Sequence, residues 1–154
     1  MEATVAPMTP AQRALANVVY ENYDLGEIGP PQQLAHVHQR RHRKYVIETE
    51  KGKFLLKTYH ADPEILDALR FQHRLSAHLD ENGLPVARIQ AAFNGRKIVQ
   101  VEDWALELQE WVEGHSMRVT GNALIVSAAT LGLFHEVCRD FPCPERDARL
   151  WRFS

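Results

Sequence analysis

The sequence predicts an α+β chain: an antiparallel sheet with one long helix packed on it, followed by a helical portion. Three observations carry this. Two short turn signals, EKGK at 50–53 and Asn94-Gly95, each separate stretches of strand-type alternation. Two proline-led starts, Thr9-Pro10 and Asp62-Pro63, open stretches with apolar residues at helical spacing. An apolar-rich segment from position 122 to 138 then closes the order strands, helix, strands, helix.

Taken in order, Thr9 is an N-cap and Pro10 the first helical residue, and Leu15, Val18, Val19 and Asn22 follow at helical spacing, so a helix is expected over 10–22. YDLGEIGPP is a brief extended segment ended by Gly29-Pro30-Pro31. Alternating stretches follow around 34–37 and 44–49, and the second pairs with 54–59 across a turn in which Gly52 is free to take a positive φ. Asp62 then caps a helix whose first turn holds Pro63 and Glu64, the acid favourably set against the helix dipole. Asn82-Gly83 stops that helix near position 81. LPVARIQAAF and KIVQVED form a second expected hairpin around Asn94-Gly95, and ALELQEWV is a further strand ending at Glu113-Gly114. The final helix carries Leu124, Ala128, Leu131 and His135 on one side.

Length and composition narrow the class. The chain has 154 residues, 45% hydrophobic and 25% charged, with a formal net charge of −2. That is one ordinary globular domain with no global attraction to nucleic acid or to an acidic membrane surface. Cys138 and Cys143 are the two cysteines, close together in a chain long enough not to need staples, which suggests a reducing compartment. No basic leader precedes an apolar block at the start, and the apolar run 123–134 is too short to span a bilayer. The expectation is a soluble, cytoplasmic protein.

Two places could carry chemistry. In GKFLLKTY, Leu55, Lys57 and Tyr59 point one way and Phe54, Leu56 and Thr58 the other, so an ammonium stands among apolar neighbours. On the helix after Pro63, Ile65, Leu69, Leu75 and Leu79 form an apolar stripe with Gln72 in its middle. Either Lys57 and Gln72 answer each other, directly or through a ligand, or Lys57 snorkels to water and Gln72 bonds a backbone carbonyl. The second place is HVHQRRHRKYVIET, with Arg40, Arg41, Arg43 and Lys44 among His36, His38 and His42 and no glycine. It reads either as an anion site built from side-chain cations or as a solvated hairpin tip. A metal site at the three histidines lacks a fourth ligand. RNA binding through RRHRK lacks an aromatic-flanked motif.

GKFLLKTY, LRFQHRLSAHLDENGLPVARI, LELQEWVEG and AATLGLFHEV, in this order and at these intervals, resemble the small-molecule kinases of the aminoglycoside phosphotransferase and choline or homoserine kinase-like family. The likeness runs over about residues 23 to 135. It implies a protein-kinase-like N-lobe with an N-terminal helix over 1–108, a hinge at 109–115 and the start of a helical C-lobe from 116. Lys57 takes the place of the lysine that grips the α- and β-phosphates of ATP, and Gln72 falls where the family has a helix glutamate. Gln109 stands at the gate of the adenine pocket, with the Glu110 carbonyl and the Val112 amide as the hinge groups that pair with the base. Arg40 and Arg41 would meet the polyphosphate in place of a glycine loop, and His135 is a structural histidine.

For an intact member the resemblance implies ATP and Mg²⁺ as cofactors, and a nucleotide and a small-molecule hydroxyl acceptor as partners, with no nucleic acid and no membrane. The family's His-Gly-Asp-x-x-x-x-Asn loop does not occur in this sequence, so no catalytic or metal-binding residue is assigned. The chain is therefore expected to be the N-terminal portion of a phosphotransferase, inactive alone. The alternative is a stand-alone nucleotide- or phosphate-binding regulatory module.

Overall fold

The computed structural model describes residues 7–34, 42–114 and 118–142. Arg40, Arg41, His36, His38 and Cys143 lie outside them, as does most of the stretch expected to alternate at 34–37. The described residues fall into two compact units, one within Met1–Leu66 and Ala87–Trp111, the other within Asp67–Val86 and Val112–Ser154.

In the first unit, helix α1 (Pro10–Asn22) starts as its sequence dictates. The Thr9 hydroxyl accepts from the Gln12 amide at 3.3 Å, and the Gln12 side chain accepts from the Thr9 amide at 2.9 Å. This reciprocal cap satisfies two amides that a helix start leaves without partners. Five antiparallel strands follow: β1 (Gln32–Gln33), β2 (His42–Thr49), β3 (Gly52–His60), β4 (Val99–Val101) and β5 (Trp104–Glu110), in the spatial order β1-β2-β3-β5-β4. Gly52, at φ +126°, makes the tight β2–β3 connection possible, because a side chain at that backbone angle would be strained.

Strand alternation gives this sheet two unlike faces. One carries Tyr45 and Ile47 of β2, Phe54 and Leu56 of β3, and Leu106 and Leu108 of β5, clustered with Val19 and Tyr23 at the end of α1 and with Leu25. Ile47, Leu56 and Leu108 are fully buried, each contributing about 1.5–3 kcal/mol by leaving water. The other face carries His42, Lys44, Val46, Leu55, Lys57, Tyr59, Glu107 and Gln109.

In the second unit, helix α2 (Pro63–Glu81, entering from the first unit) ends in a glycine-dependent cap. Gly83 takes φ +79°, its amide donates to the Asp80 carbonyl at 3.0 Å and the Leu84 amide to the Leu79 carbonyl at 2.9 Å. Helix α3 (Gly121–Cys138), capped by Thr120, meets α2 at its far end, where a ring nitrogen of His78 lies 2.9 Å from the Val137 carbonyl and Phe71 packs edge-on to Phe141.

Three expectations are corrected. Residues 84–93 are not a regular strand. They contribute one bridge, Ile89 to Gln109, and two hydrogen bonds to β5, although the turn at Gly95 (φ +76°) forms as expected. Pro85 has no amide to donate and Ala91-Ala92 favours strand weakly, so the segment extends the β5 edge only where Arg88 and Gln90 reach it. Gln72 is exposed, and the polar residue buried on α2 is its neighbour His73. A one-residue error in helical phase is a 100° rotation. Finally, α3 extends past the apolar run at both ends. It is an 18-residue helix with a mean hydropathy of 1.2 and no buried residue, long and apolar enough to cross a bilayer by length and composition alone.

Candidate functional site

Cross-strand partners in an antiparallel sheet share a face, so the register of β2, β3 and β5 arranges the polar face in rows. Val46, Leu55 and Gln109 form one row and Lys44, Lys57 and Glu107 the next. His42, Tyr59 and Ala105 form a third. Successive rows lie about 7 Å apart, two residues along each strand. An apolar strip thus borders a charged one.

Glu107 is the centre of the charged row. Its side chain is 1% exposed, and one carboxylate oxygen, Oε1, receives three groups. The Lys57 ammonium lies 3.1 Å away, the Tyr59 hydroxyl donates at 2.9 Å and the Gln109 amide donates at 3.3 Å. A carboxylate so deep would be costly without such partners. Lys57, with 18% of its side chain exposed, keeps a path to solvent. The ammonium that the sequence left without a counter-charge therefore has one, on the neighbouring strand.

The same carboxylate shapes its surroundings. Burial, followed by the charge of Glu107 and its hydrogen bond, pushes the Tyr59 phenol well above its ordinary value. Burial and then Glu107 raise Tyr23 to about 12. The Tyr23 hydroxyl is buried with no hydrogen-bond partner among the described residues. His42 is held below its usual value, first by burial, then by Lys44 and Lys57, with Glu107 acting the other way.

Of the residues singled out from sequence, Lys57 and Gln109 are brought together through Glu107. Glu110 ends β5, so the strand includes two residues expected in the hinge. The Glu110 amide donates to the Arg88 carbonyl at 2.8 Å and the Trp111 amide to the Lys53 carbonyl at 3.1 Å. The Lys53 ammonium sits 4.7 Å from the Trp111 ring centre. Gln72 and Val112, both exposed, belong to the second unit. His135 is exposed on α3. Sequence reasoning missed Glu107 and singled out Lys44 only as part of a basic run; the signal for Glu107 was a lone acid between Leu106 and Leu108.

An apolar cavity of about 290 Å³ lies on the opposite face, lined by Ala14, Leu15 and Val18 of α1 with Tyr45, Leu106 and Trp104, and so is separate from the charged row. Among the described residues no group of three or more His, Cys, Asp or Glu could hold a metal ion.

Residues 34–154 match the model of the phosphotransferase enzyme family. The chain belongs to that family. No curated protein sequence matches it. Among solved structures, a spectinomycin phosphotransferase in complex with ADP and spectinomycin superposes with a TM-score of 0.67 at 14% identity, over 88% of this chain and 40% of that one. An amicoumacin kinase bound to AMP-PNP and Ca²⁺ gives 0.62 at 18%, over 89% and 42%. An aminoglycoside phosphotransferase from Alicyclobacillus acidocaldarius gives 0.60 at 24%, over 88% and 37%. The α+β fold with a kinase-like sheet is thus the family's own, and the chain spans about two fifths of the length of these phosphotransferases.

Proposed function

We propose that this chain is the nucleotide-binding part of a phosphotransferase that passes a phosphoryl group from ATP to a hydroxyl of a small molecule. The observation that carries this reading is the apolar pair Val46 and Leu55, with Gln109 at the end of their row, lying beside the row that holds Lys57. A nucleotide has the same layout: a flat, weakly polar base at one end and clustered negative charge at the other. Lying along these rows, it sets adenine on Val46 and Leu55 and its α- and β-phosphates at Lys57. Gln109 stands at the edge of the base, and the Glu110 carbonyl and Val112 amide are the backbone groups assigned to it. Arg40 and Arg41, close in sequence to His42, are assigned to the phosphates.

Catalysis of phosphoryl transfer rests on positioning and on metal-held charge. The sequence has no His-Gly-Asp-x-x-x-x-Asn loop, and the described residues offer no metal cage. On this reading the chain binds ATP in the cytoplasm without transferring phosphate. Titration with ATP, ADP and adenosine, followed by melting temperature and by release of ADP, tests it. ATP should raise the melting temperature more than adenosine does, with no turnover. A melting temperature unmoved by ATP sinks the proposal.

One observation favours a second reading, a nucleotide-binding regulatory module. The counter-ion of Lys57 comes from the same sheet, so that ion pair is made within one compact unit. Nucleotide binding that alters association of the chain with another protein, again without turnover, would distinguish it.

A further inference from the structure

Among the described residues, the charges of the Lys44, Lys57 and Glu107 row do not balance. Lys44 stands directly opposite Lys57 in the β2–β3 register. Directly opposed side chains have Cβ atoms about 4.5–5.5 Å apart, and like charges there destabilise a sheet. Glu107 lies beyond Lys57 on β5, two strands from Lys44, about 10 Å across the sheet. Its oxygen is bonded to Lys57, Tyr59 and Gln109. Lys44 has no ion pair among the described residues and is half-buried. The row therefore holds two ammonium groups and one carboxylate.

We propose that Lys44 is a second phosphate-binding cation of this face, so that a polyphosphate lies across β2 and β3 between Lys44 and Lys57. The proposal rests on the nucleotide reading above and gives it a direction. With the base on the Val46 and Leu55 row, the phosphates run along the neighbouring row and reach Lys44 as their number increases. Lys57, neutralised by Glu107, positions the phosphates nearest the base. Lys44, which carries the unmatched charge, meets those farther out. His42, the next residue on the same face of β2, is held toward its neutral form and so adds a hydrogen-bonding group rather than a third cation. The other charged groups on this face, Glu48 and Lys53, oppose each other two rows from Lys44. Arg43 belongs to the same basic run but alternates to the opposite face, beside the apolar cavity.

That alternation supplies the control. Affinities of ATP, ADP, AMP and inorganic tripolyphosphate would be measured by calorimetry for the unaltered chain, Lys44→Gln, Lys44→Arg and Arg43→Gln. A charge-assisted contact to phosphate predicts that Lys44→Gln weakens ATP and tripolyphosphate roughly ten- to hundredfold, with AMP changed about twofold or less. Arg43→Gln should change ATP binding about twofold or less, and Lys44→Arg should restore most of it. Since Lys44→Gln removes a like-charge contact, its melting temperature should not fall. Equal ATP affinity in Lys44→Gln and the unaltered chain overturns the proposal, and so does an equal loss in Arg43→Gln. If tripolyphosphate binds through Lys44 as tightly as ATP, the Lys44 site stands and the adenine assignment falls. If the unaltered chain binds neither, both fall.

Discussion

Lys57 has a structural role before any ligand arrives, and Lys57→Met measures it. The substitution keeps most of the side-chain volume and takes the Lys57 ammonium from the Glu107 carboxylate, 1% exposed, while the Tyr59 and Gln109 donors stay. Removing one partner of a buried ion pair costs roughly 3–5 kcal/mol. Here the lower end applies, because the Tyr59 hydroxyl and the Gln109 amide still bond the oxygen. The reverse change, Glu107→Gln, should cost less, about 1–2 kcal/mol: the amide keeps an acceptor for Tyr59, and Lys57 turns outward along its existing path to water. Together the two substitutions should cost less than their sum by about 1–3 kcal/mol, since the second removes the charge that the first exposed. Urea unfolding gives all four values, provided the slope with denaturant stays constant. A loss below about 0.5 kcal/mol in Lys57→Met, or strictly additive costs, would refute the pairing. The same measurement must precede any nucleotide-binding assay on a Lys57 variant, because lost affinity could otherwise reflect lost fold.

Three further outcomes are expected. Tyr23→Phe removes a buried hydroxyl that has no partner among the described residues and whose desolvation costs roughly 1–3 kcal/mol, so the melting temperature should rise, by about 2–4 °C per kcal/mol recovered; a fall would mean that the hydroxyl is bonded in solution. Tyr23 and Tyr59 both have folded-state values above the ordinary 10. The folded state therefore keeps protons that the unfolded chain releases, so their contribution is complete below pH 10 and is lost as pH rises above it, by up to about 1.4 kcal/mol per pH unit for each tyrosine. Urea midpoints that stay flat above pH 10, or a slope that Tyr59→Phe leaves unchanged, would contradict this. Thr9→Ala breaks the reciprocal cap of α1 and should cost about 1 kcal/mol, read from the urea midpoint, whereas Thr9→Ser should cost little.

What could be read from the sequence was what short-range chemistry decides. Thr9-Pro10 and Pro63 place helix starts, Gly83 places a helix end and Gly52 a hairpin, each through contacts within a few residues. Residues 84–93 went wrong because alternation shows which groups can pair but not which edge lies within reach, and that edge is β5, met only at 88–90. Gln72 went wrong by a single step of helical phase, a small error in counting that exchanges exposed Gln72 for buried His73.

The Lys57–Glu107 pair was hidden for a different reason. The two residues are fifty positions apart and meet because β5 inserts between β3 and β4, whereas in chain order α2 and β4 both come before it. An acid between two leucines is visible in LELQEWVEG, but its partner depends on strand order, which no local signal encodes. This pairing also changes what the amide at Gln72 means. A lysine that waits for a helix carboxylate is placed only when that helix is placed. Lys57 is held by a hydrogen-bonded neighbour on its own sheet, at a register fixed by seven consecutive residue pairs between β3 and β5. Its position is a property of strand pairing, so a neutral residue at Gln72 leaves the Lys57–Glu107 ion pair intact.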